Sequence, residues 1–140
     1  MRILAAFLTC SIAAATPAMA TPAAPESEPA VACTAPAPAP GAAFSGPVLQ
    51  VLDGDRLCVA SGPTPDKWVE VRPAGLIRTS TAPAGERRSV LMTAAFSKRL
   101  DCVAGAQIGG SVQAVCTIHG AALADEIQAA GARPAWQLWR

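Results

Sequence analysis

At 140 residues the chain is long enough for one small domain and short for two. Its formal net charge is +1, from 11 Lys+Arg and 10 Asp+Glu, which argues against a globally basic surface that coats nucleic acid. Aromatic residues make up only 4% and tyrosine is absent, which argues against an extended base-stacking platform.

The opening MRILAAFLTCSIAAATPAMA has an early arginine, a short apolar stretch and Ala18-Met19-Ala20 in the small-x-small form of a secretory cleavage site. The apolar run is too short for a membrane span, and Leu8-Thr9-Cys10 is a poor lipoprotein signal. Residues 1–20 are therefore expected to be a cleaved signal peptide on a secreted or periplasmic protein, with no transmembrane segment in the mature chain. Residues 21–43, dominated by alanine and proline, read as an extended linker, because proline removes donors and alanine offers little to bury. Residues 44–140 form the foldable domain, whose core is small enough that covalent help is expected.

Within it, SGPVLQVLDGDRLCVA reads as two strands hinged on Asp53-Gly54-Asp55, residues that tolerate the positive φ of a tight hairpin. Leu57 and Val59 are expected on one face, Cys58 and Ala60 on the other. KWVEVR alternates as a third strand, with Trp68, Glu70 and Arg72 on its outer face. A loop over 75–85 precedes a helix in GERRSVLMTAAFSKRLDC, with Glu86 in the first turn and basic residues in the last, both favourable to the helix dipole. RLDCVAG and SVQAVCTIHG give a fourth and fifth strand joined through AQIGG, with His119 a turn residue. LADEIQAAG closes as a short helix, Leu123, Ile127 and Ala130 at helical spacing and Gly131 as its stop. The tail carries Trp136 and Trp139. Three strands, a helix, two strands and a helix predict a mainly β, α+β domain: a five-stranded OB-fold barrel with two to three helices.

Cys10 leaves with the signal segment, and Cys33, Cys58, Cys102 and Cys116 remain. Four cysteines in a small exported domain read as two disulfides, with three possible connectivities. Zinc has little support: Cys116 and His119 are three apart on a strand and face opposite sides, and no C-x-x-C pair completes a tetrahedral set.

The order of these pieces resembles the thermonuclease (staphylococcal-nuclease-like) family over residues 45–133. The similarity rests on the hairpin Val51-Leu52-Asp53-Gly54-Asp55-Arg56-Leu57-Cys58-Val59, on Val71-Arg72 followed by Gly75-Leu76-Ile77, on Gly109-Gly110-Ser111-Val112, and on the stretch from Gly120 to Gly131. The resemblance implies a calcium ion held mainly by two aspartates, a glutamate general base and two arginines that neutralise charge on the phosphorus. Carried over by position, Asp55 matches the first calcium aspartate and Arg72 the first arginine. Ile77 stands at the second aspartate, Ser80 at the glutamate and Ser111 at the second arginine. Three of the five charged groups are replaced. A rescue would need Glu86 as base and Arg78 as the missing guanidinium.

In the family's barrel the strands holding Cys102 and Cys116 are antiparallel neighbours, so the resemblance implies a Cys102–Cys116 bridge. It leaves Cys33 to pair with Cys58, tying the linker's end to the barrel wall. The function implied is that of a non-catalytic binding or accessory module needing no cofactor. Its partner would be weakly bound single-stranded nucleic acid or a protein of the cell envelope, and Trp68 is the outer-face aromatic to test. The alternative is a calcium-dependent nuclease with a rearranged site.

Overall fold

The computed structural model describes residues 33–76 and 82–132. Alternating apolar residues build the strands in the expected order: β1 (Ala43–Val51), β2 (Leu57–Ala60) and β3 (Trp68–Pro73), then helix α1 (Ala84–Ala95), β4 (Arg99–Ile108), β5 (Ser111–Ile118), a two-residue β6 (Ala121–Ala122) and helix α2 (Leu123–Ala132). The sequence pattern does not anticipate β6, which is only a bridge from β5 into α2.

β1 pairs antiparallel with both β2 and β4, β2 with β3, and β4 with β5, while β3 runs parallel to β5. The parallel pairing closes five strands into a mixed barrel of OB-fold type, mainly β with two helices. Inward positions alternate cleanly: Leu100, Cys102 and Ala104 on β4 and Val112, Ala114 and Cys116 on β5 are buried, while Asp101, Val103, Gln113 and Val115 are exposed. Leu91 from α1 and Leu123 from α2 complete the same core. The barrel is pinched where β1 crosses β2. A Cβ at Gly46 would lie 1.9 Å from the Ala60 carbonyl oxygen, so only glycine fits there.

Both disulfides form. Cys102 and Cys116 are directly opposed in the β4–β5 register, and Cys33 joins Cys58 with a Cα–Cα distance of 5.7 Å. Cys58 stands on the outer side of β2, as its alternation implies, yet is fully buried. Residues 33–42, the described end of the alanine- and proline-rich segment, are extended but not a free linker. Thr34 and Ala35 donate backbone hydrogen bonds to Pro65 and Trp68, and Ala35 and Ala37 pack against the core, because alanine is small enough to lie flat on it.

Three local expectations need correction. The hairpin corner is a loop of residues 52–56, closed by Leu52 N–H to the Arg56 carbonyl at 2.9 Å, and none of its residues has positive φ. Gly54 is required instead by α1, since a Cβ there would lie 2.6 Å from Arg87 Cβ. Helix α1 stops at Ala95, before Lys98 and Arg99, because Ser97 turns into the left-handed region at φ 60 and Arg99 enters β4. Gly131 lies inside α2 rather than ending it, and a Cβ there would lie 3.6 Å from Val90, so it marks where the two helices approach. His119 is a turn residue as expected, at φ 49 before Gly120. Among the described residues no helix is long and apolar enough to cross a membrane.

Candidate functional site

The outer face of the barrel where β2, β3 and β5 meet gathers the polar side chains. Alternation along β3 points Trp68, Glu70 and Arg72 outward, with Val69 and Val71 inward. The parallel register sets Gln113 beside Arg72, and alternation on β5 places Ser111 two residues earlier on the same side. The 52–56 loop supplies Asp53, Asp55 and Arg56.

One carboxylate organises most of this face. Glu70 Oε1 accepts from Arg56 Nη1 at 3.0 Å and from the Ser111 hydroxyl. Arg56 reaches back through Nε to Asp53 Oδ2 at 2.7 Å, and the other Asp53 oxygen accepts the Asp55 N–H at 2.8 Å. Burial pushes the Asp53 carboxyl up, but the Asp55 N–H and the Arg56 guanidinium outweigh it and hold it below its ordinary value. The Arg56 guanidinium is raised in turn, first by its hydrogen bond to Asp53. The sequence singled out neither Arg56 nor Glu70 as site residues. The signal was the alternation of KWVEVR, which put Glu70 on the same face as Arg72.

Arg72 stands apart from this network. Its Nε is buried without a hydrogen-bond partner. With Asp55, Leu76, Ile108 and Gln113 it lines a cavity of about 40 Å³, room for a few waters. Asp55 also borders a larger cavity of about 390 Å³ between the hairpin corner and the two helices, walled by Glu86, Arg87, Val90 and Ile127. Asp55 thus lines one cavity with Arg72 and another with Glu86. Ser111 is bound to Glu70 rather than aimed at either cavity. Ile77, Arg78 and Ser80 lie outside the described residues.

No protein-family model matches the chain, and no curated protein matches it in sequence. The site is therefore weighed on its own chemistry. Calcium takes six to eight oxygens, with several carboxylates among them. Among the described residues no three Asp, Glu, His or Cys side chains cluster to hold a metal ion. The two carboxylates of the hairpin corner are not a pair, since Asp53 is committed to Arg56 and the Asp55 backbone. The donor set does not fit a calcium cage.

The aromatic expectation is also modified. Trp68 is half-buried, and its indole N–H donates to the Gly62 carbonyl at 3.0 Å, so it is not a free stacking platform. Arg87 on α1 donates to the Ala82 carbonyl, Arg88 on α1 to the Val51 carbonyl and Arg99 on β4 to Ser45 Oγ, so each is engaged by the protein itself.

Proposed function

We propose that the chain is an exported, thermonuclease-like OB domain that no longer hydrolyses phosphodiesters and serves as a binding or accessory module. The observation that carries this reading is the engagement of Glu70 by Arg56 and Ser111. The face where a nuclease needs open charge holds a closed polar network, and the position of the second arginine is a serine inside it. The hollow that Arg72 lines, about 40 Å³, is on the scale of a few waters rather than of a phosphodiester. Export is supported by the form of residues 1–20 and by two disulfides, which persist in oxidising compartments. The partner is a protein or another component of the cell envelope, since a half-buried Trp68 and arginines engaged by the protein itself make single-stranded nucleic acid a weak ligand.

One observation favours a second reading, calcium-dependent hydrolysis on a rebuilt site: Asp55 and Glu86 border the same cavity. A single assay separates the two. Oxidised protein is incubated with calcium and denatured DNA, with and without chelator. The first reading expects no turnover. Chelator-sensitive turnover that is lost in Asp55→Asn, Glu86→Gln or Arg72→Ala would replace it with the second. Intact mass before and after reduction tests cleavage after Ala20 and the two bridges.

A further inference from the structure

Residues 33–42 form a strap whose attachment is uneven, and its two ends differ in kind. The far end is continuous with the sheet: Gly41 N–H donates to the Ala104 carbonyl at 2.7 Å, Ala104 N–H donates to Ala42, and β1 follows. The near end serves an edge that the barrel leaves open. Ser61 N–H donates to the Lys67 carbonyl, so that pair is hydrogen-bonded and the neighbouring Ala60–Trp68 pair is not. The Trp68 carbonyl therefore points away from β2, toward the side where β5 joins β3 only from Val71 onward. Ala35 N–H takes that carbonyl at 3.0 Å, and Thr34 N–H takes Pro65.

Between the ends, residues 36–40 read Pro-Ala-Pro-Ala-Pro, so three of five positions have no N–H to give. Two ordinary backbone hydrogen bonds and a pair of alanines cannot hold several residues against their conformational entropy. The Cys33–Cys58 bond supplies the missing hold. Its accessibility also differs from that of the second bridge. Cys33 is half-buried, whereas Cys102 and Cys116 are 3% and 4% exposed inside the core.

We infer that Cys33–Cys58 is a reducible latch: a dithiol opens it, the strap lifts from Trp68 with Gly41 as its hinge, and the barrel held by Cys102–Cys116 stays folded. In the exchange, a thiolate of the dithiol attacks Cys33 Sγ and the S–S bond breaks, with Cys58 leaving and taking up a proton. The second thiol of the reductant then attacks the mixed disulfide and releases Cys33, and the dithiol becomes a disulfide. Opening uncovers the β3 edge at Trp68 and the outer side of β2 at Cys58. Those surfaces belong to the strand 2–3 face that OB barrels use for ligands. This device goes beyond the proposed function and does not depend on it.

The experiment uses the oxidised protein and graded dithiothreitol, followed by alkylation and peptide mass analysis, with hydrogen exchange on the same samples. Cys33 and Cys58 are expected to label at about tenfold less reductant than Cys102 and Cys116, reflecting access to the attacked sulfur. At that point the Thr34 and Ala35 amides should exchange about tenfold faster, while Val112 and Leu100 in the barrel stay unchanged. The double variant Cys33→Ser, Cys58→Ser should show the same exchange pattern without reductant. Opening of Cys102–Cys116 first, loss of barrel protection together with Cys33–Cys58, or undiminished protection at Ala35 after selective reduction would each overturn the latch.

Discussion

The Ser111 hydroxyl donates to Glu70 Oε1 across the parallel β3–β5 pairing, at the position where the family resemblance calls for an arginine. Among the described residues Ser111 is the one buried polar residue, at 2% exposure. Its hydroxyl therefore needs Glu70. Ser111→Ala removes the donor but leaves Glu70 its Arg56 partner. We expect a loss of about 1–2 kcal/mol in urea unfolding, the scale of a hydrogen bond to a charged acceptor. Ser111→Thr, which keeps the hydroxyl, should recover most of it. A neutral Ser111→Ala would show that the bond does not bear on stability.

The acid limb of stability should carry the signature of Asp53. Its carboxyl titrates below the ordinary value of 3.8 because the Asp55 N–H and Arg56 outweigh burial. A carboxyl with a lowered folded pKa stabilises fully above its unfolded value, and that contribution is lost as pH falls through the folded value. Arg56 stays charged throughout. Asp53→Asn should therefore be less stable than the parent at neutral pH, with the gap closing as pH drops below 3.8. Urea midpoints across a pH series give the comparison, and a gap independent of pH would refute the assignment. The side chain is 40% exposed, so the effect is modest and shrinks in salt.

Gly46 tests the barrel's closure. A Cβ 1.9 Å from the Ala60 carbonyl oxygen cannot be absorbed by a flexible side chain, because the obstacle is backbone. Gly46→Ala should cost about 2–3 kcal/mol by forcing β1 away from β2. Gly109→Ala is a weaker comparison: nothing lies within 4 Å of its added Cβ, and only its φ of 63 opposes the change. Equal effects at the two sites would mean that the β1–β2 approach is not as tight as described.

The architecture was legible because it rests on alternation and on turn residues that physics ties to one backbone shape. Leu57 and Val59 inward follow from period-two spacing, and the Cys102–Cys116 pairing is the one that the family resemblance implies. What was not legible depends on which elements meet. Gly54 looked like a positive-φ turn residue, and it is glycine because Arg87 packs over it. Gly131 looked like a helix stop, and it lies inside α2, where an added Cβ would meet Val90 at an ordinary 3.6 Å. Single-sequence reasoning cannot distinguish a turn glycine from a packing glycine such as Gly54, since both needs select the same residue. The site suffered similarly. Matching a template directed attention to Ser111 and Asp55 one at a time, whereas the connection of Asp53, Arg56, Glu70 and Ser111 appears only when β2, β3 and β5 lie side by side.

Removal of the inner bridge should be costly. Cys102 and Cys116 are 14 residues apart, and closing a loop of that length stabilises by about 3 kcal/mol in the chain-entropy account. Cys102→Ala with Cys116→Ala should lose about that amount and, because both sulfurs pack in the core, somewhat more through the space left. Thermal melts of the oxidised double variant against the oxidised parent measure it. If reducing the parent after selective alkylation of Cys33 and Cys58 produced no further drop in melting temperature, the inner bridge would not be a stabilising one.

Arg72 and Glu70 are neighbours on one face of β3, and their substitution should have opposite signs. Glu70 is an acceptor that Arg56 and Ser111 both use. Glu70→Met leaves a guanidinium and a buried hydroxyl without it, and should destabilise by about 2 kcal/mol. Arg72 has a buried Nε with no partner. Arg72→Met retains an aliphatic stem beside the small cavity it shares with Leu76 and Ile108 and removes a desolvated donor, so stability should hold or rise by up to about 1 kcal/mol. A catalytic arginine kept for chemistry against its own stability cost would behave the same way in urea, so the stability result alone does not separate the two. Denatured-DNA hydrolysis measured on the same pair does. If the parent is inert and Arg72→Met is also inert and no less stable, the guanidinium serves neither chemistry nor folding of the free protein. If Arg72→Met is instead destabilised by more than about 1 kcal/mol, the guanidinium is engaged in the folded protein, and the small cavity it lines is not a surface available to a ligand.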